Sequence, residues 1–327
     1  MEVNSESIFQ IKNDDDFKTV AFNQLRYQFE NNLILNKYYD ALNFKIESIS
    51  ELNEIRFLPI ELFKSNEIVC GANNATHIFS SSGTTGQITS KHFVKDIAIY
   101  EKSFLKCFEM FYGKPEAYCF LFLLPSYLER TGSSLVYMAE YLVKRSANKS
   151  SGFYLSNYQD LKIKILEQKN KGEKTILFGV TYALLDLCEF DLSLDENFIV
   201  IETGGMKGKR KEVTKQELHS VLKEKLKINT VHSEYGMTEL LSQAYSKGDG
   251  IFQCPPWMKI LIRDPYSPNE YLPQGKVGAI NVIDLANLHS CSFIATQDLG
   301  RDLGEGKFEI LGRMNDAELR GCNLMID

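Results

Sequence analysis

Apolar positions along this chain follow two spacings, one helical and one strand-like. After Asp14-Asp15-Asp16, the residues Phe17, Val20, Ala21 and Leu25 recur at helical spacing, which predicts an amphipathic helix capped by aspartate. Most of the chain up to residue 70 reads as helical, and Leu58-Pro59 opens a short irregular connection. Ile97, Tyr100, Phe104 and Phe108 predict a further helix from Val94 to about Phe111. The run Tyr118–Leu124 is apolar throughout, as a strand buried on both faces of a parallel sheet requires.

Helix and strand patterns then alternate. Ser133-Ser134-Leu135 through Leu142 predicts a helix, and the lysine-rich segment Leu161–Lys169 another, leading into a strand at Thr175–Val180. Phe198–Glu202 is a β-rich run ending in Thr203-Gly204-Gly205. Thr214-Lys215-Gln216-Glu217 is a capping box opening a helix that carries Leu218, Val221, Leu222 and Leu226, and Asn229–Val231 reads as a short strand. This alternation predicts an α/β fold. Beyond Pro255-Pro256 the pattern changes to short strands at Lys259–Ile262, Ala279–Ile283, Phe293–Thr296 and Phe308–Leu311, consistent with a small β-barrel-like subdomain. The expected organisation is a helical segment at 1–75, an α/β nucleotide-binding core at 76–255, a β-rich subdomain at 256–312 and a terminal segment at 313–327.

Composition narrows the function classes. The 327 residues, 44% hydrophobic and 24% charged, suffice for a large buried core and argue against disorder. A net charge of −6 argues against sequence-independent nucleic-acid binding, which needs a basic surface. The N-terminus has no basic segment leading into an apolar one, and Pro125 stops the most apolar run far short of a membrane span, so a cytoplasmic location is expected. The seven cysteines are scattered without a Cys-x-x-Cys pair, which fits reduced thiols and argues against structural zinc.

The densest chemical signal is a loop. Ser80, Ser81, Ser82, Gly83, Thr84, Thr85 and Gly86 are all hydroxyl-bearing or glycine, and Lys91-His92 follows shortly after. Glycines let successive N–H groups converge and hydroxyls add donors, so the run suits a polyphosphate. It lacks the Gly-Lys-Ser/Thr ending of a Walker A loop, since Gln87-Ile88 follows Gly86. A flexible Ser/Gly linker is the alternative from these residues alone.

Together with Lys91, Ser81-Ser82-Gly83-Thr84-Thr85-Gly86 resembles the phosphate loop of the adenylate-forming superfamily, which includes acyl-CoA synthetases, peptide-synthetase adenylation domains and luciferase-like enzymes. Glu234-Tyr235-Gly236-Met237-Thr238-Glu239 resembles its second signature, Tyr-Gly-x-Thr-Glu, and Leu311-Gly312-Arg313 its hinge signature, in the right order. The resemblance implies the superfamily's large domain, with sheets flanked by helices. It also implies that ATP and a carboxylic acid react to an acyl-adenylate and pyrophosphate. The loop from Ser80 to Gly86, Thr85 included, would hold the β- and γ-phosphates, and Lys91 would add charge to the leaving pyrophosphate. Tyr235 would stack on adenine beside Gly236 and Met237, Thr238 would donate to the α-phosphate, and Glu239 would coordinate Mg²⁺. Read without the resemblance, Tyr235–Glu239 is a helix start with Thr238 or Glu239 as cap. Gly204-Gly205 resembles the adenine-contacting turn. Asp298 stands where the superfamily places a ribose-binding aspartate, in Thr296-Gln297-Asp298 instead of Thr-Gly-Asp, and Arg313 would reach ribose or phosphates.

The superfamily continues past the hinge into a C-terminal domain bearing a catalytic lysine, most of which this chain lacks, ending as it does at Asp327. Either the sequence is truncated or it belongs to a branch working without that domain. The branch it resembles is the acyl-protein synthetase (LuxE-type) group. The likeness runs through Leu124-Pro125-Ser126-Tyr127-Leu128-Glu129-Arg130, Gly204-Gly205-Met206-Lys207-Gly208 and Arg320-Gly321-Cys322-Asn323-Leu324-Met325. In that group the acyl chain passes to a cysteine near the C-terminus, matched here by Cys322, and Arg320 would favour its thiolate. The expected substrates are ATP and a fatty or other hydrophobic acid, and the expected partner is an acyl-accepting reductase or transferase. A phenylacetate-type CoA ligase and a non-catalytic nucleotide-binding subunit are the rival readings.

Overall fold

The computed structural model describes residues 4–81, 88–124, 132–204 and 213–314. Ser82, Gly83, Thr84, Thr85, Gly86, Gly205, Arg320 and Cys322 lie outside the described residues. Numbered along the chain, the strands are β1 (Leu58–Pro59), β2 (His77–Ser80), β3 (Lys91–Val94), β4 (Cys119–Leu123), β5 (Gly152–Tyr154), β6 (Thr175–Val180) and β7 (Phe198–Thr203). They continue as β8 (His232–Tyr235), β9 (Ala244–Ser246), β10 (Ile251–Gln253), β11 (Met258–Arg263), β12 (Val277–Asp284), β13 (Phe293–Gly304) and β14 (Lys307–Arg313).

Among the described residues twelve strands share one mixed sheet, which places this chain in the α/β class. Its first half, β5-β4-β6-β7-β8, is parallel. Such strands need crossover connections, and the helices Ser134–Arg145, Tyr158–Lys171, Thr181–Leu187 and Lys215–Leu226 lie in them. Burial explains the sequences: β4 and β6 are buried at every position, as helices on both faces of a parallel sheet demand. The capping box forms as the spacing predicts, with Thr214 N donating to Glu217 Oε2 at 2.8 Å and Glu217 N to Thr214 Oγ1 at 3.2 Å. Leu218, Leu222 and Leu226 are buried, whereas Val221 lies off their stripe and is 40% exposed.

From β8 onward the order β8-β9-β10-β14-β13-β12-β11 is antiparallel. The β-rich end of the chain therefore continues the same hydrogen-bonded sheet. β8 begins later than the apolar pattern indicates. Val231 is buried before the ladder starts, and the ladder to β7 pairs the polar residues His232, Ser233 and Glu234. Leu58-Pro59, where the irregular connection opens, itself pairs in parallel with Ile294 and Ala295 of β13.

The first long helix, Asp14–Asn31, is capped by Asn13, whose side chain accepts from Asp16 N at 2.8 Å. The three aspartates occupy the first turn, where the helix dipole favours negative charge, so the expected aspartate cap is an asparagine one residue earlier. Two glutamines of this helix, Gln24 and Gln28, are fully buried. Their amides donate to the carbonyls of Leu285, Asn287 and Leu288, and Ser292 N donates back to Gln28 Oε1. Asn32, the cap of the next helix Leu33–Ala41, donates to Ser290 O at 2.9 Å. The helical start is thereby fastened to the 285–292 connection, which in turn holds the candidate site. No helix among the described residues is long and apolar enough to cross a membrane.

Candidate active site

Ligands of parallel α/β sheets bind beyond the carboxyl ends of the strands, where the topology switches. Here that place is the end of β8, where parallel pairing with β7 gives way to antiparallel pairing with β9. Tyr235 ends β8, and the second signature forms the following turn. Residues 236–243 contain no helix, which removes the helix-start reading. A Cβ on Gly236 would lie 2.5 Å from Glu234 Oε1, so any larger residue there would force that buried carboxyl to move.

Two strands of a separate sheet bracket the hydroxyl- and glycine-rich segment. β2 and β3 pair antiparallel, with Ser80 opposite Lys91 and Phe79 opposite His92. Ser81 N donates to Ser90 O at 3.0 Å and Ser90 N to Ser81 Oγ at 2.9 Å, so pairing continues to the start of the segment. Ser80 N also donates to Gly132 O at 2.7 Å. Gly132 has φ +88°, and a Cβ there would meet Ile78 O and Ser80 Oγ, both at 3.1 Å.

The return strand joins this hairpin stem to the second signature. Ser90, nearly buried, lies close enough to the Glu239 carboxyl to oppose the effect of its burial. His92, 1% exposed, places Nδ1 3.0 Å from Thr238 O and Nε2 2.8 Å from Ser290 Oγ. Burial draws the imidazole pKa down to about 4, against a smaller opposite effect of the Thr238 carbonyl, so the ring is neutral. Lys91, on the opposite face of the strand, is exposed and has no ion-pair partner among the described residues.

Asp284 and Asn287 shape the far side of the turn. Asp284 Oδ2 accepts from Leu241 N (2.8 Å) and Ser242 N (2.9 Å), and its Oδ1 accepts from Ser242 Oγ (2.5 Å) and Ala286 N (3.0 Å). Burial raises this carboxyl to about 6 although those donors oppose the rise. Asn287 Nδ2 donates to Glu239 O at 2.7 Å. Burial likewise raises Glu239, with Ser90, then its own backbone N–H and then Arg313 opposing.

A second group lies across β13 and β14. Tyr235 Oη donates to Asp298 Oδ2 at 2.8 Å, and Arg313 Nε donates to Asp298 Oδ1 at 3.2 Å. Asp298 and Arg313 are register partners, which explains how residues fifteen apart meet. Expected to stack on adenine, Tyr235 has a ring only 8% exposed that meets Phe252 and Phe308 edge-on. Its hydroxyl is the part turned to Asp298.

Behind the Gly204 turn is an ionic cluster that the motifs do not indicate. Glu202, 1% exposed, takes Lys215 Nζ at 2.5 Å and lies 3.5 Å from His219 Nε2. Burial alone would raise the Glu202 carboxyl, but the Lys215 ammonium and the His219 bond outweigh it and bring it to about 2. Thr181 Oγ1 donates to Gly204 O at 3.0 Å, fixing the start of the predicted adenine turn. Its neighbour Glu234 accepts from Thr203 Oγ1, yet burial carries it up to about 7.

The donor set suits the expected ligands. Among the described residues no group of three or more His, Cys, Asp or Glu side chains forms a metal cage. Mg²⁺, however, needs only one or two carboxylates when phosphates and water supply its other ligands, so Glu239 alone is compatible with it. Each Asp298 oxygen keeps a lone pair for a ribose hydroxyl after binding Tyr235 or Arg313.

Comparison with known proteins agrees with this architecture. The family model described as "Acyl-protein synthetase, LuxE" matches residues 129–327, more than half of the chain. Similar solved structures include ATP-bound MatB from Rhodopseudomonas palustris, 19% identical, with a TM-score of 0.55 over 74% of this chain and 49% of that one. A 2-hydroxyisobutyryl-CoA ligase in the postadenylation state with 2-HIB-AMP is 13% identical, with a TM-score of 0.68 over 94% of this chain and 70% of that one. The same ligase with 2-HIB-AMP and CoA is 14% identical with the same TM-score and coverage. The chain thus spans about half the length of the MatB structures. At these identities the likeness shows the fold. No curated protein sequence matches the chain significantly.

Proposed function

Because this chain belongs to the LuxE acyl-protein synthetase family, we propose that it activates a hydrophobic carboxylic acid with ATP and passes the acyl group to a protein cysteine. The observation that carries this reading is the 3.0 Å bond between His92 Nδ1 and Thr238 O, with Ser90 of the same strand close enough to the Glu239 carboxyl to oppose the effect of its burial. It fixes the stem of the Ser80-to-Gly86 segment against the very residues that would meet the α-phosphate.

In the proposed first step a carboxylate oxygen of the acid attacks the α-phosphorus of ATP. One P–O bond forms, the bond to the bridging oxygen breaks, and pyrophosphate leaves with that electron pair. Ser80, Ser81, Ser82, Gly83, Thr84, Thr85 and Gly86 bind the β- and γ-phosphates. Lys91, exposed at the end of that segment, adds positive charge there. Thr238 donates to the α-phosphate, and preorganised donors of this kind favour developing charge. Glu239 would hold Mg²⁺, which would supply neutralisation of phosphate charge. Asp298, oriented by Tyr235 and Arg313, accepts from the ribose hydroxyls, while Gly204, Gly205, Gly236 and Met237 border the base.

In the second step the Cys322 thiolate attacks the acyl carbon. The thioester C–S bond forms, the bond to the phosphate oxygen breaks, and AMP leaves; the thiol proton has already passed to solvent. The acyl group then passes to a partner reductase or transferase. Incubating the protein with labelled fatty acids, ATP and Mg²⁺, with and without coenzyme A, tests the reading. Label on the protein without coenzyme A supports it; product formed only with added coenzyme A identifies a ligase instead. No acid-dependent ATP turnover in either case identifies a non-catalytic nucleotide-binding subunit.

A further inference from the structure

The four bonds around His92 close a ring. His92 Nδ1 meets Thr238 O (3.0 Å), and Asn287 Nδ2 donates to the next carbonyl, Glu239 O (2.7 Å). Ser290 N donates to Asn287 O (3.1 Å), and Ser290 Oγ returns to His92 Nε2 (2.8 Å). A carbonyl only accepts, so the Nδ1 facing Thr238 carries the ring proton, and Nε2 therefore accepts from the Ser290 hydroxyl. The neutral ring thus has one tautomer consistent with both partners. It is clamped further by Phe63, edge-on at a centroid distance of 5.7 Å.

These bonds are more than a core histidine needs for satisfaction. One partner lies 146 residues away in the second signature, the other 198 residues away in the connection that follows Asp284 and holds Asn287. His92 itself sits on the strand returning from the candidate phosphate segment, opposite Phe79. Three parts of the site distant in sequence thus converge on one imidazole.

We infer that His92 is a positioning residue: its Nδ1–H holds the Thr238 carbonyl so that the β2–β3 stem and the 236–243 turn keep one fixed relation when nucleotide binds. His92 touches no reacting atom; it acts through Thr238 and Glu239. This inference rests on the proposed adenylation for its kinetic reading, but the mechanical coupling does not.

Asparagine and glutamine separate the two ring nitrogens. The amide nitrogen of His92→Asn stands near the place of Nδ1 and can donate to Thr238 O, whereas that of His92→Gln stands near Nε2 and reaches toward Ser290. Both variants lose ring packing, so both lose thermal stability. Amide hydrogen exchange of the full chain without ligand reads the coupling. Residues 236–242 should exchange at least tenfold faster in His92→Gln than in wild type, and His92→Asn should stay within about threefold. In ATP–pyrophosphate exchange, His92→Gln should raise the KM for ATP and lower the rate at least tenfold, with rescue by His92→Asn. Should His92→Gln not fold, Ser290→Ala, which frees Nε2, is expected to loosen 236–242 less than tenfold, as Thr238 keeps its donor. Equal protection of 236–242 in wild type and His92→Gln, equal loosening in Asn and Gln variants, or a larger effect of Ser290→Ala would overturn the coupling. Absent pyrophosphate exchange in wild type would instead count against adenylation, with the hydrogen-exchange result still deciding the role of His92.

Discussion

Tyr235 Oη and Asp298 Oδ2 lie 2.8 Å apart, so the aromatic residue of the second signature acts here as a hydrogen-bond donor to the candidate ribose-binding carboxylate. The same carboxylate is held from its other oxygen by Arg313 of β14. Removing the hydroxyl in Tyr235→Phe leaves the ring packing intact and leaves the Asp298 carboxylate held by Arg313 without its second anchor. A hydrogen bond to a charged group is worth about 1.5–3 kcal/mol, so the KM for ATP should rise roughly tenfold or more with a smaller change in kcat. Steady-state kinetics in varied ATP check this; an unchanged KM would contradict the orienting role.

Asp284 stabilises the second-signature turn by accepting three backbone N–H groups and one hydroxyl in a fully buried site. Asp284→Ala leaves several buried donors without partners, at about 1–3 kcal/mol each, and should cost on the order of 3–5 kcal/mol of folding stability. Urea denaturation measures this directly. A loss below about 1 kcal/mol would show that the turn finds other acceptors.

Glu234 gives the fold a pH dependence of definite sign. Its carboxyl is raised by burial to about 7 in the folded chain from an ordinary value of 4.5. Its contribution is therefore fully present below about pH 4.5 and is lost as pH rises through 7. Glu234→Gln, neutral at every pH, should gain on wild type across that window, by about 3 kcal/mol at pH 8, and differ little at pH 4.5. Thermal unfolding of both proteins at the two pH values checks the sign; a Gln variant less stable than wild type at pH 8 would contradict it.

Cys322 is the proposed acyl acceptor. Labelled fatty acid with ATP should give a protein-bound label that neutral hydroxylamine releases. Cys322→Ser should lose that label or hold it as a hydroxylamine-resistant ester while keeping pyrophosphate exchange. Thioester labelling of Cys322→Ser like wild type would assign another cysteine.

What the sequence made legible, and what it hid, follows from how far each interaction reaches. β4 and β6 are written in unbroken apolar runs, and the Thr214–Glu217 box specifies a helix start within four residues. The candidate site was legible as three short signatures, two of which meet through Tyr235, Asp298 and Arg313. Ser90, His92, Asp284, Asn287 and Ser290 were not, because each is a polar residue whose meaning lies in a partner far along the chain. The alternation of Ser90 and His92 around exposed Lys91 was the available signal of a strand with a polar inner face. Glu202 and Lys215 escaped for the same reason: an acidic residue closing an apolar run, and a lysine inside a capping box, each looks local until β7 and the helix meet.

The central claim, adenylation by this chain, is tested most directly by acid-dependent exchange of labelled pyrophosphate into ATP. A panel of carboxylic acids should include at least one that supports exchange, only with Mg²⁺ present. Glu239→Ala should lower that exchange by about 10²–10³ while the protein stays folded, since removing one preorganised charge-stabilising group has that effect. No exchange with any acid, or wild-type exchange in Glu239→Ala, would contradict the account.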